Sequence, residues 1–298
     1  MPKMRVDLHC DTLTAKPCFD GQIKLNELRA ESAFQCFAAF TEDENAAAYA
    51  AAKRLFYKTF TSENGFAAIR KFGDVAAAQK KELTCCALTC ENIGFTGGRL
   101  KDICGLKADG VIMASLVWNT ENSLAYPNTR ADGRRERRGL KKRGFEILEM
   151  LDSLKIIADV SHLSDGGTAQ ILKNRKIPVV ASHSNCNTVC KNARNLTDLQ
   201  LKSIADCGGV VGVNFYRKFL GGDGNFTAVA AHIKYIIKIA GEDVLSFGSD
   251  WDGTPKSGIS ICPPHMPELM RFLQKAGLAP RVLEKLAYKN FLRVFKEV

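Results

Sequence analysis

Long apolar runs are missing from this 298-residue chain. Its most hydrophobic stretches, VIMASLVW and CGGVVGVNF, fall far short of the roughly 20 residues that a membrane-spanning helix needs. The start, MPKMRVDLHCD, passes from two basic residues straight to Asp7 without an apolar stretch. No secretory signal is expected from such a start, and a cytoplasmic protein is. Phosphate-cradling loops are also lacking. Gly94 to Gly98 and Gly221 to Gly224 have neither the spacing nor the following lysine of such a loop. There is no Pro/Gly/Ser linker, no composition break and no internal repeat, so one domain over 1–298 is expected. What is present, 46% apolar and 25% charged residues, is an ordinary globular composition that excludes disorder and collagen-like repeats.

An even set of cysteines is lacking as well. The eleven have C-x3-C as their closest regular spacings, Cys86 to Cys90 and Cys186 to Cys190, which match neither a redox motif nor a zinc ribbon. Reduced thiols are expected. Cys10 stands apart only because it lies between His9 and Asp11.

The net charge is +10, but its distribution matters more than its sum. Arg130, Arg134, Arg135, Arg137, Arg138, Lys141, Lys142 and Arg143 stand against Asp132 and Glu136, so this segment alone carries +6 and the remainder +4. Stacking aromatics, which a single-strand binder would interleave with its arginines, are absent from it. No nucleic-acid partner is expected. A solvated loop, or one that attracts small anionic substrates, is.

Eight runs read as short strands buried on both faces: MRVDLH, SAFQCFAAF, LTCCALTC, VIMASLVW, IIADVSH, PVVASHS, GVVGVNF and DVLSFGSD. Helical spacing of apolar residues marks 46–60, 145–154, 165–174, 197–206 and 228–240 between them, and Thr197 with Asp198 has the chemistry of a helix start. Eight strands alternating with helices over this length predict a (β/α)8 barrel, followed by a helical tail from Pro264. A doubly wound sheet is the alternative.

Active sites on such barrels are built from the C-terminal ends of strands. His9 and Asp11 end the first run, Glu91 the third, His162 the fifth, His183 the sixth and Asp250 the eighth. Three histidines with two or three acids exceed what one tetrahedral zinc requires, so two ions are implied. His9 and Asp11 point to one side of a strand and could share an ion. Glu91 is the candidate bridge, with His162 and His183 on the second ion, an arrangement that activates a shared water for hydrolysis. His232 sits in a helical pattern and reads as packing. His265, in CPPHMP, has no assigned role.

These residues resemble the membrane (renal) dipeptidase family of binuclear zinc dipeptidases, peptidase family M19. The resemblance rests on DLHCDT, Glu91, IIADVSHLSD, VVASHSNCNTVCKNARNLTD, GGVVGVNFY, FGSDWDG and NFLRVF, in the family's order over nearly the whole chain. It implies an amidohydrolase-like barrel with His9, Asp11, Glu91, His162 and His183 on two zinc ions. Arg194 matches the arginine that holds the substrate's terminal carboxylate, and Asp250 the aspartate near the metals and substrate amine; Glu91 joins it in proton handling. Trp118 and Tyr216 fall at substrate-contacting positions. In LVWNTEN, Trp118 replaces a histidine of animal members, which implies altered selectivity. No leader or anchor like those of secreted animal relatives is expected. The implied reaction is hydrolysis of dipeptides with a free C-terminal carboxylate, tolerant of a D-residue there. The implied partner is a small dipeptide and no membrane, and a homodimer is one assembly the sequence allows. Competing readings are an amidase or lactonase on the same barrel, and a barrel that binds anions or nucleic acid through the Arg130 to Arg143 segment.

Overall fold

In a computed structural model, residues 4–14, 21–30, 33–42, 45–129 and 132–298 are described. Cys18, Ser32 at the head of the second run, and Arg130 lie outside the described residues. Nine strands form in chain order: β1 Arg5–Asp7, β2 Ala33–Phe40, β3 Phe66–Ile69, β4 Thr84–Glu91, β5 Met113–Ser115, β6 Ile157–Asp159, β7 Val180–Ala181, β8 Val210–Val213 and β9 Leu245–Phe247. All pair in parallel, and eight of them close a ring β1–β2–β4–β5–β6–β7–β8–β9 because β2 also pairs with β4 and β1 with β9. The fold is therefore the predicted (β/α)8 barrel.

Every predicted run contributes one ring strand, and the strand the sequence did not announce, β3, stands outside the ring. It pairs with the first half of β4 (Phe66 with Thr84, Ile69 with Ala87), and β5 takes the second half (Thr89 with Met113). Its sequence, FAAI, is half alanine, which is a poor strand signal.

Side chains alternate between two apolar layers, as strand geometry demands. Phe37, Ala39, Cys86, Leu88 and Cys90 join the helix-facing cluster. Phe34, Cys36, Cys85, Ala87, Met113, Ile157, Val180 and Val210 join a second cluster that includes Phe291 and Phe295 of the last helix. The tail is thus a plug rather than an appendage. Phe291 and Phe295 lie edge-on to Phe34 at the start of β2, with centroids 5.6 and 5.9 Å away. Asn290 donates to the Leu245 and Glu242 carbonyls. With the N-terminal end of the barrel closed, the C-terminal end is left for chemistry.

The helices follow their sequence signals. Thr197 caps Asp198–Asp206, its hydroxyl accepting from Gln200 N and the Gln200 side chain answering the Thr197 N–H. Asn225 caps Phe226–Ala240, where His232 is fully buried. Its Nδ1 accepts from Cys186 N at 3.1 Å and its Nε2 donates to the Leu220 carbonyl at 3.0 Å. His232 is a packing residue, as its helical context indicated. His265 ends a short 3-10 turn, Pro263–His265, before helix Met266–Lys275. Cys10 is fully buried, donates to the Cys36 carbonyl and has its thiol pushed well up by burial, the properties of a packed thiol rather than a ligand. Among the described residues no helix is long and apolar enough to cross a membrane.

Candidate metal centre and substrate site

The polar residues expected at the strand ends do converge. Glu91 is the last residue of β4 and lies opposite Phe40 of β2. His9 and Asp11 follow β1, whose exit is zipped to that of β9. Asp11 N donates to the Trp251 carbonyl and Asp250 N to the His9 carbonyl, at 2.9 and 3.2 Å. This brings His9 Nε2 within 3.2 Å of Asp11 Oδ2, 3.7 Å of Glu91 Oε2 and 3.9 Å of Asp250 Oδ1. Gly253 leaves room for the two aspartates, since a Cβ there would sit 2.1 Å from Asp11 Oδ2 and 2.5 Å from Asp250 Oδ1.

On the other side of Glu91, Oε1 lies 3.0 Å from His162 Nε2 and 3.6 Å from His183 Nε2. His162 (φ 68°) and Asp250 (φ 64°) both have left-handed backbone, which costs a non-glycine residue on the order of 1–2 kcal/mol and is met where geometry is enforced by function.

Both of these imidazoles are locked as Nδ1–H tautomers. His162 Nδ1 donates to Asn119 Oδ1 at 2.8 Å. His183 Nδ1 donates to Ser182 Oγ at 2.8 Å, and Ser182 in turn donates to Asp159 Oδ2. Asp159 Oδ1 is held by the backbone N–H groups of Ser161 and Ser182. The Nε2 lone pairs therefore face inward, only 3.0 Å apart. Two lone pairs at that distance repel unless a cation stands near both. Orienting a ligating histidine through its other nitrogen is the usual outer support of a metal site.

The electrostatics agree. Burial holds the His162 and His183 imidazoles well below their ordinary range, with Arg194 and His9 adding to the effect, so both are neutral donors. Burial alone would lower His9 too, yet Asp11, Glu91 and Asp250 together push it up to about 10. Burial and Asp11 raise Glu91 well above the carboxylate range. Burial, with Asp11 adding and His9 opposing, raises Asp250 to about 6. Three buried carboxylates thus demand positive charge at their centre. Three ligand groups come together within 4.8 Å: His9, Asp11 and Glu91; Glu91, His162 and His183; and His9, His183 and Asp250. Glu91 is shared by the first two, so the donor set fits a pair of divalent cations of the N/O-seeking kind.

Arg194 completes the site. It is 7% exposed, and its Nε and Nη2 have no hydrogen-bond partner among the described residues. The guanidinium rests on the Phe219 ring at 5.5 Å. Burial draws it down to about 10, opposed by Asp250 and Glu91. A buried fork with free donors beside this donor cluster has the chemistry to receive a carboxylate.

Trp118 lies 6.0 Å from the His162 ring and edge-on to Phe40 at 4.8 Å, a wall beside the second donor set. Tyr216 is less directly placed. Its N–H donates to Asn214 and its ring packs edge-on against Phe219, one ring away from Arg194. Sequence reasoning missed four supporting residues: Asn119, Asp159, Ser182 and Asn214, whose amide donates to Asp250 Oδ2 at 2.9 Å. Asn214 is the last residue but one of the seventh predicted run, so the strand-end rule would have found it had amides been counted with acids and histidines.

The profile of the membrane dipeptidase family, peptidase family M19, matches residues 4–298. An uncharacterised protein from the pqqA 5′ region of Klebsiella pneumoniae is 33% identical over 237 residues, 76% of this chain and 86% of that protein. Among solved structures, the dipeptidase AC of peptidase family M19 superposes with a TM-score of 0.89 at 22% identity, over 100% of this chain and 98% of the other. A metallopeptidase from Rhodobacter sphaeroides, liganded with a phosphinate mimic of the dipeptide L-Ala-D-Ala, gives 0.88 at 21% identity, over 100% and 99%. Strand-end donors, barrel and sequence together make this chain a member of the membrane dipeptidase family, a metallo-dipeptidase of peptidase family M19.

Proposed function

We propose that the enzyme uses two zinc ions to hydrolyse dipeptides that carry a free C-terminal carboxylate, including those with a D-residue at that end. The observation that carries this reading is Arg194: a buried guanidinium with two nitrogens lacking partners, in the field of Glu91 and Asp250. His9, Asp11 and Glu91 would hold one ion, and Glu91, His162 and His183 the other. The ions would supply carbonyl polarisation and an activated water at neutral pH.

The protein's own groups do the rest. Arg194 fixes the substrate carboxylate, which sets the distance from the C-terminus to the scissile bond and so restricts substrates to short peptides with a free C-terminus. Asp250, kept in place by Asn214 and lying beside His9, is the group placed to pass a proton to the departing amine. Glu91, which belongs to both donor groups, would hold both ions and, with Asp250, serve in that proton traffic. Trp118 and Tyr216 shape the walls that choose side chains. The L-Ala-D-Ala mimic bound by the Rhodobacter relative supports D-tolerance here. The protein acts in the cytoplasm on free small peptides.

The test joins metal analysis to a panel of dipeptides of both C-terminal configurations, each also as its C-terminal amide. Two zinc ions per chain, turnover of free acids and no turnover of amides are expected. Equal turnover of amides would overturn the Arg194 assignment, and lactone or simple amide hydrolysis in place of dipeptide hydrolysis would favour the related hydrolase reading. Asp250→Asn should retain both ions and lose kcat; loss of metal would make Asp250 a ligand through the group it forms with His9 and His183.

A further inference from the structure

The catalytic face carries a second arginine whose state is the reverse of Arg194. Arg135 belongs to the basic segment between β5 and β6, and all five of its N–H donors have partners. Nε and Nη2 make a fork to Asp165 Oδ2 and Oδ1 at 2.7 and 2.6 Å. Nη2 also reaches Gln200 Oε1 at 3.2 Å. Nη1 donates to the carbonyls of Asn195 at 2.8 Å and Asn192 at 3.4 Å. Those two carbonyls bracket Arg194.

The stretch just before this segment grips the Arg194 loop once more and touches the candidate metal site. Asn128 donates its side-chain amide to the Ala193 carbonyl, and its backbone N–H donates to the His162 carbonyl at 2.8 Å. The Asn128 side-chain oxygen accepts from Glu136 N, next to Arg135. Gly166, beside Asp165, allows the contact to be this close, since a Cβ there would lie 2.0 Å from the Arg137 carbonyl oxygen. Residues 192–196 have no regular helix or strand of their own; the Asn192 carbonyl also accepts from Asn195 N at 3.0 Å within the loop, whereas carbonyls 193 and 195 are held from outside.

We infer that Arg135 is a positioning residue: through the Asn192 and Asn195 carbonyls it holds the Arg194 guanidinium at the height where a substrate carboxylate meets it. A buried guanidinium with unsatisfied donors is costly to keep in place, and a misplacement of about 1 Å can cost on the order of a hundredfold in rate. Lysine cannot replace the fork, because a point charge reaches Asp165 or the carbonyls but not both with planar geometry. The inference rests on the dipeptidase reading for its kinetic consequence and on geometry alone for its mechanical one.

The experiment is a double-mutant cycle on the metal-loaded enzyme with alanyl-alanine of both C-terminal configurations, together with hydrogen exchange of the Asn192–Leu196 amides. Arg135→Ala should raise KM about 5- to 50-fold with kcat changed less than about threefold, and metal content should stay the same. Arg135→Lys should leave KM raised. In an Arg194→Ala background, Arg135→Ala should add little. Should Arg135→Ala fold poorly, Asn128→Ala leaves Arg135 in place, releases the Ala193 carbonyl together with Glu136 N, and should move KM in the same direction. Amides 192–196 should exchange faster in Arg135→Ala whether or not any dipeptide is a substrate, so absence of wild-type turnover would sink the function while exchange still decided the tether. A full additional KM rise on top of Arg194→Ala, a loss confined to kcat, or unchanged exchange would each overturn the positioning role.

Discussion

At the residue scale, Arg194 and Ser182 show how much a site depends on groups that touch no metal. Arg194→Ala removes a charged hydrogen-bonding fork, so binding of a free-acid dipeptide should weaken by about 1.5–3 kcal/mol, seen as a KM raised about 10- to 100-fold. An unchanged KM in steady-state kinetics would remove Arg194 from the carboxylate site. Ser182 is the link between Asp159 and His183 Nδ1. Ser182→Ala leaves that nitrogen without its oriented acceptor and should weaken metal binding about 10- to 100-fold, measured by calorimetric titration of metal into the apo-protein. Unaltered affinity would mean that His183 is held by packing alone. The candidate ligands were legible in the sequence because histidines and acids are rare at strand ends, and Arg194 only through the family resemblance. Ser182 was quoted only inside a motif, because serine at a strand end has many uses and only the distance to Asp159 singles out this one.

Elements show where pattern reading succeeds and where it stops. The eight ring strands were readable as apolar runs because each is buried on both sides. β3 was not, because two alanines weaken the β signal and its pairing beside β5 is decided by the length of β4. The helix Phe226–Ala240 makes a pH prediction. His232 within it is fully buried, and burial draws its pKa down to about 4, against an unfolded value near 6.5. Between those values the unfolded chain binds the extra proton, so stability is present above pH ~6.5 and is lost as pH falls toward 4, by up to about 1.4 kcal/mol per pH unit. His232→Gln, which can still donate to the Leu220 carbonyl, should flatten that slope by about one proton in denaturant titrations run across this range. An unchanged slope would show that His232 is already charged in the folded protein. The basic segment teaches the opposite lesson. Its net +6 already counts Asp132 and Glu136, and two acids from outside the segment pair with it as well: Asp165 with Arg135, and Glu121 with Arg138 and Lys141. Part of the charge thus holds loops together, beside whatever it does for anions.

For the whole molecule, closing the barrel at one end with Phe291 and Phe295 and gathering three buried carboxylates at the other couples metal to stability. Metal bound to the folded state alone, at a free concentration a hundred times its Kd, adds about 2.7 kcal/mol per site. Chelation should therefore lower Tm as well as abolish activity, and zinc should restore both; a Tm indifferent to chelator in a thermal melt would mean that the donor cluster holds no ion when folded. The sequence by itself determined the architecture and the identity of the donors, because burial on two faces leaves continuous apolar runs and because histidines and acids at their ends have few other uses. Only the tertiary structure decided which nitrogen of each histidine faces inward, that Glu91 stands between the two donor sets, and that one arginine is satisfied while another is left free. Those facts depend on distances between residues far apart in the chain, and no local pattern of side chains encodes a distance.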